Sequence, residues 1–452
     1  MKTRQENSAI PPLPRGFAES LAPLVKEEMQ DFLQSYDHPW QRGLRRNPSK
    51  ILEGGIEAFV EGLLKEVPWE RDGVYITLDS PAGTHPLHEA GAYYLQEPSA
   101  MAAVAALDPK PGEWVADLCA APGGKSTQIA ARMQGQGLLA SNEPVASRAQ
   151  VLSSNLERMG VSNALVTCET PERLNQKWHG CFDRVLVDAP CSGEGMFRRH
   201  PEARLEWTEQ TPLGCARRQA EILRHAAGMV RDGGVLCYST CTFNAVENEG
   251  VVEGFLKENP AFSLQPFALT PDLRAENGML HLFPHRVAGE GHFVALMKKR
   301  SAGEYRPILP KSTLPPPGKE SLSAWRAFCM ETFGEMSTEP TGTFAGRLVV
   351  TPVLPDISGL KVLRAGLHLG EVRGKRFFPD HAFAMSGFLP ECCPDLSLTL
   401  PEAEAYLKGE TIPAPWESRG WVLMRLAGLA LGWGKMADGR IQNHYPKGLR
   451  KG

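Results

Sequence analysis

Two cysteines stand in polar, turn-forming strings, Asp188-Ala-Pro-Cys191 and Ser239-Thr-Cys241-Thr, each just past a stretch that reads as a β-strand. A thiolate placed there is a nucleophile. On a pyrimidine ring, sulfur adding to carbon 6 creates an enamine, and carbon 5, otherwise a poor nucleophile, can then attack an electrophilic methyl group. The adduct must afterwards be broken by removing the proton at carbon 5 and expelling the thiolate, so a second polar group is needed beside the first. Two cysteines are on offer, and Asp188 lies three residues before Cys191, near enough to hydrogen-bond a cytosine amino group or help move a proton. Cys168 and Cys237 read instead as small buried hydrophobes.

Such chemistry needs a methyl donor close by. The strand-like Trp114 to Leu118 runs into Cys119-Ala120-Ala121-Pro122-Gly123-Gly124-Lys125 and then a helix from Ser126. Glycines there permit close backbone approach, and a helix N-terminus favours a carboxylate. Glu143, nineteen residues beyond Gly124, ends the next strand, where an acid can accept hydrogen bonds from both ribose hydroxyls. The loop matches neither GxGxxG nor GxxxxGK[ST], which disfavours a nicotinamide cofactor and a P-loop nucleotide. S-adenosylmethionine is the cofactor these residues suit. Arg148 could face its carboxylate or an RNA, Glu169 the adenine edge, and Lys125 the donor carboxylate or the loop itself.

The elements that must hold these groups alternate strand and helix. Strands are expected over Trp114 to Leu118, Gly137 to Asn142, near Leu165, over Phe182 to Asp188 and over Val235 to Ser239, with helices from Ser126 and over Ala146 to Met159. A long helix should place Leu213, Ala216, Ala220, Leu223, Ala227 and Val230 on one face and end at Asp232-Gly-Gly234. Asn244 and Glu247 predict a capping box opening a helix through about Lys257, and Met279 to Phe283 with His292 to Lys298 a closing hairpin. The fold class is therefore α/β, a Rossmann-like doubly wound sheet with a C-terminal antiparallel hairpin and ligands at the carboxyl ends of its strands. Flanking it are an α/β N-terminal module over 1–95, with helices over Leu21 to Tyr36 and Ile51 to Glu66 and a strand over Gly73 to Thr77, the core over 96–300, a proline-rich linker over 301–321, an accessory module over 322–390 and a small β-rich end over 391–452.

Composition sets the outer limits. A chain of 452 residues with 42% hydrophobic content fits about two to four globular domains. It shows no apolar stretch of membrane-spanning length and no hydrophobic signal core at the start, so the expected place is the cytoplasm, with no membrane partner. Ten cysteines without CxxC pairing suggest neither zinc nor a disulfide framework, and no metal is expected. The net charge of −3 argues against indiscriminate coating of nucleic acid, but basic clusters at His38 to Lys50, Arg198-Arg199-His200 and Lys447 to Lys451 could contact phosphates.

The strings Asp117-Leu-Cys-Ala-Ala-Pro-Gly-Gly-Lys-Ser-Thr-Gln128, Asp188-Ala-Pro-Cys-Ser-Gly-Glu-Gly195 and Tyr238-Ser-Thr-Cys-Thr242 with Glu247-Asn-Glu249 closely resemble the Sun (Fmu) type RNA cytosine-5 methyltransferases. The resemblance implies that Cys241 attacks carbon 6 and Cys191 assists release. DNA enzymes of similar chemistry use the Pro-Cys cysteine as nucleophile, so the presence of both motifs points to RNA and away from DNA. Leu13-Pro-Arg-Gly-Phe17, Gly91 to Ala100 and Gly289-Glu-Gly-His-Phe-Val-Ala295 look like the bacterial RsmF subgroup, which methylates 16S ribosomal RNA, and Gly432-Trp-Gly-Lys435 with Asn443 to Gly448 looks like its PUA-like RNA-binding end. Where relatives often carry Asn before the acid after the third strand, Cys168 precedes Glu169 here. The resemblance thus implies an enzyme making 5-methylcytosine in 16S ribosomal RNA, free or within the small subunit; the sequence is silent on oligomeric state, and a monomer is the default expectation. A transfer RNA substrate and a non-catalytic assembly factor are the alternatives.

Overall fold

The computed structural model describes residues 10–301, 303, 313–414 and 419–451. Its centre is a mixed sheet of β1 (Trp114–Asp117), β2 (Leu138–Asn142), β3 (Ala164–Thr167), β4 (Phe182–Asp188), β5 (Val230–Thr240), β6 (Phe262–Leu264), β7 (Met279–Leu282), β8 (His292–Lys299) and β9 (Val362–Ala365). The order is β6-β8-β5-β4-β1-β2-β3-β9, with β7 also paired to β8. From β5 to β3 the pairing is parallel, and β8 returns antiparallel against β5, as the expected hairpin requires. Neighbouring residues of one strand enter different hydrophobic clusters: Ala116, Val185 and Val187 one, Val115, Leu139 and Leu186 the other. Both faces are therefore covered, which is why these strands read as unbroken apolar runs.

The covering helices are α1 (Gly124–Met133), α2 (Ala146–Arg158), α3 (Pro171–Trp178), α4 (Thr211–Met229) and α5 (Glu249–Glu258). In α4, Leu223 and Ala227 are buried as expected, but Leu213 is exposed and Val230 already belongs to β5. Asp232-Gly-Gly234 does not end the helix: pairing with β4 shifts register between Phe182 and Arg184, and the extra residues of β5 include Gly233 at φ 72°. α5 starts at Glu249, two residues after the expected box, so Asn244 and Glu247 are free for another task.

The N-terminal part departs further. Instead of a helix over Ile51 to Glu66 there is a single turn at Ile56–Ala58 and a strand Leu63–Glu66. Gly54, Gly55 and Gly62, all at positive φ, explain why the helix breaks. The basic segment between His38 and Lys50 forms a strand, Arg42–Arg46, and its cations are used internally. Arg45 is fully buried against Gln96, the Gly124 carbonyl and Thr127, Arg46 pairs with Glu57 and Glu66, Arg42 donates to the Leu78 and Ser80 carbonyls, and Lys50 to the Met385 carbonyl. In this segment the cations expected to grip phosphate bond within the protein, and Arg45 braces the donor loop.

Residues 302 and 304–312 of the expected linker lie outside the described residues, and a helix starts at Lys319 within its far end. Beyond it, four strands form an antiparallel sheet, Gly342–Phe344, Arg347–Val350, Leu367–Arg373 and Arg376–Pro379, but the segment between them crosses over as β9 to extend the central sheet beside β3. The last part is a five-stranded sheet around the helix Leu400–Lys408. It shares one hydrophobic cluster with the N-terminal part, Leu44, Val74 and Tyr93 joining Leu407, Val422 and Tyr445.

Candidate active site

The carboxyl ends of β1, β2, β4 and β5 converge on one polar floor. Cys191 follows β4, Cys241 follows β5, and their sulfurs are 3.2 Å apart. Asp188, the last residue of β4, accepts from Lys125 Nζ at 2.7 Å and from Ser239 Oγ at 2.8 Å, with His292 Nε2 at 3.5 Å. Burial alone would raise the Asp188 pKa, but the Lys125 ammonium and the His292 contact win and hold it well below the usual carboxylate range. Lys125 is raised in turn: burial opposes its charge, and Asp188 overcomes that. His292 is buried, its pKa lowered by desolvation and by Lys125, so it is neutral at physiological pH.

The Cys191 thiol is pushed well up, first by its hydrogen bond to Cys241, then by burial and by the charges of Cys241 and Glu247. Two negative sulfurs cannot coexist at this separation, so one proton is kept on the pair. Lys125 lies within electrostatic reach of Cys241.

Two buried carboxylates fix the cysteine loops to each other. Glu194, fully buried, accepts from the Phe243 and Asn244 amides at 3.0 Å each, from Asn244 Nδ2 at 3.0 Å and from Trp207 Nε1 at 3.1 Å. Glu247 accepts from the Ser192 amide at 2.9 Å, the Ser192 hydroxyl, Asn244 Nδ2 at 2.8 Å and Gln219 Nε2 at 2.8 Å. This is what Asn244 and Glu247 do in place of capping α5. Gly195 completes the clamp: its amide donates to the Cys241 carbonyl at 2.9 Å, and a Cβ there would stand 2.8 Å from the Gly291 carbonyl oxygen. Glu194→Ala leaves three buried donors, the Phe243 and Asn244 amides and the Trp207 indole N–H, without an acceptor, so it should lower unfolding stability by about 3 kcal/mol or more, read as the denaturant midpoint at unchanged slope. A loss below about 1 kcal/mol would show that water replaces the carboxylate and that the clamp is not rigid.

The donor loop, residues 119–125, lies between β1 and α1. Gly123 sits at φ 117° with Leu152 Cδ1 3.3 Å from where a Cβ would be, and α1 opens at Gly124 with no side-chain cap. Asp117 Oδ2 accepts from Ser126 Oγ at 2.7 Å while its Oδ1 has no partner, and burial pushes its pKa up to about 7. Past β2, Glu143 Oε1 accepts from the Val145 amide at 3.0 Å, and Oε2 lies 3.4 Å from Arg148, which also donates to the Ala121 carbonyl at 3.1 Å. An uncapped helix start, a glycine turn and an acid past the next strand fit an S-adenosylmethionine with its carboxylate at α1 and its ribose at Glu143. Glu169 is committed elsewhere: it accepts from the Lys361 amide at 2.6 Å and pairs with Arg173 at 3.2 Å.

Family models cover most of the chain piecewise. Residues 13–98 match the N-terminal domain of 16S rRNA methyltransferase RsmF, 104–298 the 16S rRNA methyltransferase RsmB/F, 327–386 the RsmF rRNA methyltransferase first C-terminal domain and 393–451 the methyltransferase RsmF PUA domain. The ribosomal RNA small subunit methyltransferase F of Salmonella arizonae is 34% identical over 93% of this chain and 92% of its own. The chain belongs to the RsmF family. That of Vibrio campbellii is 32% identical over 97% of both chains. Among solved structures, a methyltransferase homologue from Pyrococcus horikoshii is similar at TM-score 0.53 and 28% identity, over 63% of this chain and 94% of that one. RsmF membership makes the protein a methyltransferase, a class whose donor is S-adenosylmethionine.

The sequence strings brought Lys125, Asp188, Cys191 and Cys241 onto one floor, with Glu143 and Arg148 at the donor loop. His292, Ser239, Glu194 and Gln219 carried no assigned role. A usable signal was present for Glu194, an acid inside a string of small turn residues, where burial demands several donors.

Proposed function

We propose that this RsmF-family protein methylates carbon 5 of cytosine in 16S ribosomal RNA, with Cys241 as nucleophile and Cys191 as the group that releases the product. The observation that carries this reading is the 3.2 Å contact between a cysteine following β5 and a cysteine of raised pKa following β4. Cys241, as thiolate, adds to carbon 6 of a cytosine taken out of its stack. Asp188 is anchored on the floor by Lys125 and Ser239, so one carboxylate can orient the base by its amino group. The bound donor supplies an electrophilic methyl to carbon 5. Alkylation removes the Cys241 charge, and with it one cause of the high Cys191 pKa. Cys191 then gives its proton to solvent and, as thiolate, takes the proton from carbon 5, the electron pair of that bond forms the ring double bond, and the Cys241 thiolate leaves.

Loop residues 119–124, Glu143, Arg148 and Asp188 would hold the donor. Lys125→Met tests the electrostatics. It removes the charge that holds Asp188 ionised, so the Asp188 pKa rises and the acid limb of the rate profile should move to higher pH. An acid limb that stays in place while the overall rate falls would show that Lys125 serves only the donor.

Bisulfite sequencing of total RNA from cells with and without the gene tests the reading as a whole. Protection should be lost at cytosines of 16S ribosomal RNA. Loss confined to transfer RNA would replace the substrate, and no loss anywhere would favour an assembly factor without turnover.

A further inference from the structure

Among the described residues, three buried polar atoms that lack a hydrogen-bond partner belong to residues lining one cavity: Arg364 Nη1, His368 Nε2 and His381 Nδ1. The cavity, of about 470 Å³, lies where α2, β9, the accessory sheet and the C-terminal sheet meet. It is separate from the cysteine floor, and nothing in the proposed reaction uses it. Arg364, 2% exposed, donates through Nε to Ser153 Oγ at 3.2 Å and through Nη2 to Glu157, both on α2, leaving Nη1 over. His368 is buried beside it, its pKa pushed down to about 4 by burial and the Arg364 charge, and burial lowers His381 as well. Both imidazoles are therefore neutral near pH 7 and each can offer a ring N–H without the cost of a buried charge. Arg364, His368 and His381 come from different elements, and each keeps a buried nitrogen without an acceptor, so the wall of this cavity is short of oxygen atoms.

The mouth narrows the class. Arg373 stacks over the Phe378 ring at 4.9 Å, and Lys435 lies over both the Phe378 and Trp421 rings at 5.6 and 5.1 Å. Arg347, Arg364 and Arg373 each have an acidic partner, Asp380, Glu157 and Glu371, and Lys435 adds a positive charge beyond those pairs. Rings dressed with cations beside a cavity are how single-stranded nucleic acid is held, base on ring and phosphate on guanidinium. The geometry points to a second RNA contact: this cavity takes a backbone phosphate of an unpaired stretch of the RNA substrate, with an adjoining base at Phe378.

Its position supports the same strand serving both sites, and in this the inference rests on the RNA reading above. Arg148, at the donor loop, and Glu157, at the cavity, are nine residues apart on α2, a rise of roughly 14 Å. An RNA segment leaving the cysteine floor can reach the cavity along that helix. The phosphate would register the substrate without reading its sequence.

The test uses full-length protein with short single-stranded RNAs containing thiouridine, and inorganic phosphate as a second probe. In the unchanged protein, photocrosslinks should map to peptides holding Phe378 or Trp421 as well as to the cysteine loops. Arg347→Gln with Arg373→Gln should weaken binding about equally for all sequences and reduce the salt slope of log K by about 1 for each arginine removed. Lys435→Gln, which breaks no ion pair on these acids, should act in the same direction should the double variant fold poorly. Competition by inorganic phosphate alone, with no crosslink from RNA, would assign the cavity to a free anion and overturn the inference. So would unchanged affinity and salt slope in both variants while the unchanged protein methylates RNA, a result that leaves the reaction standing. Absence of methylation by the unchanged protein, with crosslinks still at Phe378 or Trp421, would sink the proposed reaction and keep the cavity.

Discussion

Cys241→Ala should abolish methylation, by roughly 10⁴-fold or more, the scale seen when a covalent nucleophile is deleted. Nothing else on the floor can replace it. Cys191 is adjacent, but its proton is held by the contact with Cys241, by burial and by Glu247, and only the first of these is relieved when Cys241 is gone. Asp188, ionised and fixed by Lys125 and Ser239, is an anchor for the base and a weak nucleophile. The fold should survive, because Glu194 and Glu247 hold the loops through backbone and side-chain groups other than the Cys241 sulfur. Donor affinity should be unchanged by isothermal titration while transfer of labelled methyl to 16S ribosomal RNA disappears. Retention of a tenth of the activity would exclude Cys241 as the nucleophile and return the choice to Cys191.

Much of this was legible in the chain because the core strands are buried on both faces. Continuous apolar runs such as Val185-Leu-Val187 have a single stable place, between two helical layers, and the polar residues that follow them must then fall at the sheet's edge. Local pattern fails where the partner is distant. The apolar periodicity after Ile51 looks helical until Gly54, Gly55 and Gly62 take positive φ and the segment pairs with Gly73–Ile76. Nor does any short-range signal tell that Val362–Ala365 leaves its own module to join β3, or that Arg45 is buried against the donor loop, since both depend on residues far along the chain. At the site the same limit applies. Asn244 and Glu247 have capping-box spacing, and only the fold brings Ser192 and Gln219 to them.

Cys191→Ala should fail in the opposite way, by completing the attack and not the release. Addition and methyl transfer need Cys241 and the donor, both left intact, so RNA becomes attached. Elimination needs a base at carbon 5, and the sulfur 3.2 Å from Cys241 is the group placed to reach the carbon adjacent to the one that Cys241 attacks. Without it the covalent complex accumulates. A denaturing gel with labelled RNA should show a band shifted by the mass of the protein, absent in Cys241→Ala and in the double variant. The two cysteines thus predict distinct outcomes from chemically identical substitutions, which no purely structural role for either would produce. Normal turnover by Cys191→Ala without a surviving adduct would falsify the division of labour, and would shift the proton abstraction to water or to Asp188.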